Sequence, residues 1–167
     1  MTDAVSRPRL AVRIAAGVVA LDATSKALAV HFLGDRGPVS VLGGALHLEI
    51  YRNFAGPRNT FQGHAVFVSV IALVGVAVIG FATTRVRSLT AAVAMGLLLG
   101  GGIGNLLDRL LRAPGPFRGG VIDWLRPAWS SGNVNLADLS IMAAVLVLLV
   151  GTATVWLRGH ARTAPSA

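Results

Sequence analysis

Apolar residues in this chain run in long blocks rather than in stripes. Residues 64–84 and residues 88–107 contain no charged side chain, and residues 134–157 carry only Asp138. At a rise of about 1.5 Å per residue, each block is long enough to cross the hydrocarbon core of a bilayer as a helix. A further block, residues 10–30, is interrupted by Arg13 near its start and by Asp22 and Lys26 in its second half. It looks like a secretory leader at first, but its apolar part is too long and no small-residue cleavage pattern follows, so it reads as a retained first helix.

The stretches between the blocks have a different grain. Residues 33–63 hold Gly34, Gly37, Pro38, Gly43, Gly44, Gly56 and Pro57 around the alternating run Leu46-His47-Leu48-Glu49-Ile50-Tyr51. Alternation bounded by turn residues predicts short strands outside the bilayer. Residues 110–133 are rich in Pro, Gly and Arg and carry Phe117, Trp124 and Trp129, which suits a loop or short helix lying at the membrane interface. The expected architecture is a single all-α membrane domain over residues 1–167. Its four transmembrane helices span about 10–30, 64–84, 88–109 and 134–157, with a small extramembrane β segment at 33–63 and an interfacial loop or helix at 110–133. Both tails and the Arg85/Arg87 turn then share one side of the membrane.

Composition strengthens this picture. The chain is 54% hydrophobic and 13% charged, with a mean hydropathy of +0.69, far from the balance of a soluble domain. Its net charge of +8 comes from arginines scattered over tails and loops, with no basic stripe and no interleaved aromatics, which speaks against nucleic-acid binding. Arginines beside spans set topology and meet anionic headgroups instead. Arg7, Arg9, Arg13, Arg85, Arg87, Arg158 and Arg162 on one side balance Arg36, Arg52, Arg58, Arg109, Arg112, Arg118 and Arg126 on the other, so the count leaves orientation open. The absence of cysteine excludes disulfides, thiolate metal sites, a cysteine nucleophile and a lipidated cysteine within the chain. His31, His47, His64 and His160 are scattered without ligand spacing, so neither a metal nor an organic cofactor is expected.

An ionisable group at membrane depth costs about 2.5 to 3.5 kcal/mol on insertion scales, so each one asks for a reason. Asp22, Lys26, Asp108, Arg109, Asp123 and Asp138 all fall toward the same side as the Gly/Pro-rich segments. Asp22 and Lys26, four residues apart, share one helix face and either pair to hold helices together or bind substrate. In residues 100–109, four glycines permit close backbone approach, and Asn105 and Arg109 follow one turn apart on one face. Asp123 is flanked by Ile122 and Trp124, where desolvation raises a carboxyl's pKa. Asp138 begins the last span, where the helix dipole favours negative charge. Two carboxyls in unlike surroundings can share one proton, the base activating water while the acid protonates a carbonyl.

Five motifs in order, Leu21-Asp22-Ala23-Thr24-Ser25-Lys26, Arg52-Asn53, residues 101–109, Val121-Ile122-Asp123-Trp124 and Asn135-Leu136-Ala137-Asp138, resemble those of the lipoprotein signal peptidases, or signal peptidase II. That resemblance implies a four-helix aspartyl protease of the bacterial inner membrane with Asp123 and Asp138 as its catalytic dyad. Asp22, Lys26, Asn53, Asn105, Arg109 and Asn135 would be polar residues that shape the site or hold substrate backbone. It further implies prolipoprotein substrates bearing a diacylglyceryl cysteine and cut on that cysteine's amino side. The enzyme would be a monomer in contact with membrane lipid, with cytoplasmic tails, the site at the outer face and no cofactor. One motif departs from the family's pattern: between Asn53 and Phe61 the gap is longer than usual and contains Pro57 and Arg58, a change that bears on substrate preference rather than on chemistry. The alternatives are a non-catalytic or altered-specificity paralogue that binds lipidated peptides and, further off, a small transporter, for which broken helices and repeats are missing.

Overall fold

The computed structural model describes the backbone of residues 3–56 and 60–163 and the side chains of 7–56 and 60–158. Pro57, Arg58 and Asn59, the middle of the atypical segment, lie outside the described residues, as do the side chains of His160 and Arg162. The chain forms α1 (Asp3–Leu33), β1 (Val39–Val41), β2 (Leu46–Asn53), α2 (Ala65–Thr83), α3 (Leu89–Leu111), β3 (Val121–Pro127) and α4 (Leu136–Thr163). Within them, Arg7–Leu33, Ala65–Thr83, Leu89–Leu111 and Leu136–Arg158 are long and apolar enough to cross a membrane.

Burial runs opposite to that of a water-soluble protein. Large apolar side chains such as Phe67, Val74 and Phe81 on α2 and Met142, Leu146 and Leu149 on α4 point outward, while Asp22, Lys26, Asp123 and Asn135 are almost completely enclosed. Lipid explains this, because hydrocarbon offers no penalty to exposed apolar surface and a heavy one to polar groups.

Helix association therefore depends on close approach, and α3 supplies it. A Cβ on Gly100 would sit 2.6 Å from Val18 Cβ of α1, and one on Gly101 would sit 2.5 Å from both Ala137 O and Ser140 Oγ of α4. At Gly104 the absent side chain leaves room for the Asp22 carboxylate, 2.7 Å from where a Cβ would lie. These glycines let α1 and α4 both close on α3 and bring Asp22 to the start of α4.

The strands form one antiparallel sheet in the order β1-β2-β3. The expected strand at Leu46 to Tyr51 is β2. The connection after α3, read as a loop or short helix, contains a strand as well, since β3 pairs Leu46 with Pro127 and, past an irregularity after Leu48, Tyr51 with Asp123 and Asn53 with Val121. Its β-branched and aromatic run Val121-Ile122-Asp123-Trp124-Leu125 becomes a strand because β2, about seventy residues earlier, supplies a partner edge. An isolated bridge from Leu125 to Val134 then delivers the chain to α4.

Candidate active site

Asp123 lies on β3 and Asp138 on the first turn of α4, and Asn135 joins them. Asn135 caps α4: its Oδ1 accepts from the Asp138 amide at 2.9 Å, and the Asp138 carboxylate accepts from the Asn135 amide at 3.2 Å. This reciprocal capping box fixes Asp138 relative to its helix. The Asn135 side-chain amide is left free to donate, and it reaches Asp123 Oδ1 at 2.6 Å and Asn105 Oδ1 at 3.0 Å. Asp123 Oδ2 accepts from Asn53 Nδ2 at 3.1 Å, and Asp138 Oδ1 accepts from Asn105 Nδ2 at 2.8 Å. The β2–β3 register puts Asn53 beside Asp123; the helical spacing puts Asn105 one turn before Arg109.

Burial pushes the Asp123 carboxyl up to about 7 from an ordinary 3.8, aided by the charge of Asp138 and opposed by the Asn53 and Asn135 hydrogen bonds and by Lys26. A carboxyl poised near neutrality can give and take a proton at physiological pH. The two aspartates open onto one cavity of about 730 Å3, whose wall includes Asn53, Asn105, Arg109 and the loop from Trp129 to Val134. Arg109 is 5% exposed, and its Nη1 is buried without a hydrogen-bond partner. Burying a guanidinium nitrogen without a partner is costly, and among the described residues no hydrogen-bond acceptor meets this one.

Asp22 and Lys26 stand elsewhere. Neither lines this cavity. The Lys26 ammonium meets Asp22 Oδ2 at 2.7 Å, Asp108 Oδ2 at 2.8 Å and Asn105 Oδ1 at 3.1 Å, so its three protons are all engaged. Asp22 Oδ1 accepts from the Ala137 amide at 2.9 Å, an otherwise orphaned donor of the first turn of α4. Of the two roles the sequence left open for this pair, the geometry supports ion pairing between helices rather than contact with substrate. The loop from Trp129 to Val134 carried no chemical signal in the sequence, since Ser130-Ser131-Gly132 reads only as a turn. Asp108 was visible as a polar residue needing a partner, and the sequence suggested a role for it only in the transporter alternative, with Asp22 and Asp138. Among the described residues, no group of three or more His, Asp or Glu side chains is arranged to hold a metal.

Four helices long and apolar enough to cross a membrane, with two enclosed carboxyls linked by amides at one end, describe a polytopic membrane protein. Residues 14–154 match the family model described as signal peptidase (SPase) II, and the chain belongs to that family, as an aspartic endopeptidase and a multi-pass protein of the bacterial cell membrane. The lipoprotein signal peptidase of Mycobacterium avium is 38% identical over 144 residues, covering 86% of this chain and 79% of its own length. That of Streptomyces coelicolor is 35% identical, covering 85% and 70%. Two solved bacterial membrane enzymes share the fold, with TM-scores of 0.73 and 0.71 at 21% and 23% identity, covering 94% and 85% of this chain and 93% and 91% of theirs.

Proposed function

We propose that the chain removes signal peptides from prolipoproteins by cutting on the amino side of a diacylglyceryl cysteine, with Asp123 and Asp138 as the reacting pair. The observation that carries this is the joining of two enclosed carboxyls by Asn135 on the wall of one cavity. Asp138, whose oxygens accept from Asn105 and Asn135, is the base that takes a proton from water as it attacks the scissile carbonyl carbon. Asp123, near half-protonated at neutral pH, donates its proton to the carbonyl oxygen, giving a gem-diol. On collapse, Asp138 returns a proton to the leaving nitrogen as the C–N bond breaks, and Asp123 recovers its own from a hydroxyl. The protons balance over the cycle, and no metal is called for.

Arg109 donates to substrate backbone carbonyls, Asn53, Asn105 and Asn135 keep the carboxyls oriented, and Asp22 and Lys26 shape the site from behind. The lipid chains of the substrate stay in the bilayer against the outward apolar surface of Met142, which edges the cavity beside the half-buried Ile141. The tails are cytoplasmic and the cavity faces outward, and one chain supplies every group named, so a monomer suffices.

The decisive experiment is cleavage of a purified diacylglyceryl prolipoprotein by wild type, Asp123→Asn and Asp138→Asn in liposomes. Wild type cuts before the lipidated cysteine, and each variant, folded, loses at least about 100-fold in kcat. Binding without cutting by wild type would establish the non-catalytic paralogue instead.

A further inference from the structure

Asp108 is buried on α3, yet it does not line the cavity that holds the two carboxyls. It borders a separate cavity of about 310 Å3 together with Asp22 and Arg112. Its Oδ1 pairs with Arg112 Nε, one turn along the helix, and its Oδ2 accepts from Lys26 Nζ at 2.8 Å and from the backbone amide of Ile122 at 3.1 Å. That amide belongs to Ile122, the residue immediately before Asp123. On the other flank of Lys26, Asp22 accepts from the amide of Ala137, the residue immediately before Asp138. Two carboxylates thus bracket one ammonium, and each grips the main chain one residue ahead of a reacting aspartate.

We propose that Asp108 is a positioning residue, the arm of an Asp22–Lys26–Asp108 brace that fixes Asp123 at its working distance from Asp138 from behind the cavity. The inference rests on the reading of Asp123 and Asp138 as the reacting pair. A brace of this kind matters because β3 and α4 belong to different elements, and nothing in the sheet register alone relates one carboxyl to the other. Arg112 and Lys26 offset the charges of the two acids, so the brace can lie at membrane depth without net charge. With two Lys26 protons spent inside it and the third on Asn105, the brace has no donor left for a substrate, and it acts through the placement of Asp123 and the charge behind it rather than by contact.

The test compares wild type with Asp108→Asn and Asp108→Glu on the lipidated prolipoprotein, measuring kcat, KM, thermal stability and the pH profile. Asp108→Asn is expected to lower kcat by about 10- to 100-fold, as a small displacement of a reacting group does, with KM within about twofold of wild type. Its pH profile moves to lower pH, since removing one negative charge eases ionisation of Asp123. The other charged or titratable groups facing Asp123 stay in place: Asp138 from α4, Arg109 from α3, Lys26 from α1 and Tyr51, its cross-strand neighbour on β2. Asp108→Glu keeps the charge but moves the carboxylate by one methylene, so it loses kcat while keeping the wild-type profile. A fall in melting temperature with unchanged kcat per folded molecule would show a merely structural tie and overturn the proposal, as would a raised KM at constant kcat. If Asp108→Asn does not accumulate folded, Asp108→Glu decides: wild-type kcat overturns the proposal and reduced kcat at unchanged KM supports it. If wild type fails to cut the peptide at all, the functional reading itself falls, an outcome distinct from wild type cutting and Asp108→Asn matching it.

Discussion

At the scale of single residues, the chemistry follows from where water is excluded. Asp123, held up to about 7 by burial and by Asp138, acts as an acid only while protonated, so cleavage is expected to decline through an alkaline limb near neutral pH. A profile flat from pH 6 to 9 would remove it from that role. The same displacement affects folding: the folded state favours the protonated form, so the stabilisation is full below the ordinary 3.8 and is lost as pH rises toward 7. Asp123→Asn is therefore expected to melt higher than wild type at pH 8, with the gap narrowing toward pH 4. Arg109 behaves differently, because its Nη1 is buried without a hydrogen-bond partner among the described residues. Arg109→Gln should raise KM by about tenfold, the worth of a charged hydrogen bond, without lowering the melting temperature, as read by kinetics and thermal unfolding together. Asp123, Asp138, Asp22 and Lys26 stood out in the sequence because charge among apolar neighbours needs a reason. The contacts of Asp108 did not, since one of its partners is the backbone amide of Ile122, and an amide has no signature in a sequence.

The elements are set by two different kinds of rule. Helices α2, α3 and α4 follow from uninterrupted apolar length, and β2 from alternation between turn residues, both of which are local. Strand β3 has β-branched and aromatic residues but no clean alternation and sits among Pro and Gly, and it depends on pairing with β2 across the length of α2 and α3. The glycines of α3 are legible as small residues, but which helix each one meets is not. Gly101→Ala would drive a methyl to within 2.5 Å of Ala137 O and Ser140 Oγ, and a destabilisation of about 1 to 3 kcal/mol is expected, as for other overpacked interfaces. Gly75→Ala on α2 meets nothing within 4 Å and should be neutral or stabilising by up to about 1 kcal/mol. Chemical or thermal unfolding in one detergent separates the two, and equal effects would contradict the packing of α3 between α1 and α4.

For the whole molecule, the solvent decides what counts as inside. Val74, 56% exposed near the middle of α2, faces lipid. Val74→Arg is expected to impair membrane insertion at a cost of about 2.5 to 3.5 kcal/mol, whereas Val74→Leu should insert normally, as shown by the membrane-integrated fraction of each. The sequence by itself determined the class of environment, the spans, the presence of strands outside them and the short set of polar residues that lipid would not tolerate unpaired, because each of these depends on composition over a local window. Only the tertiary structure decided that residues after α3 form a strand, that Lys26 spends all its protons inside the protein, that Asn135 ties one carboxyl to the other, and that Asp22 and Asp108 grip the chain ahead of them. Those are relations between residues far apart in sequence, and they come into being only when the glycines of α3 let α1 and α4 close on it.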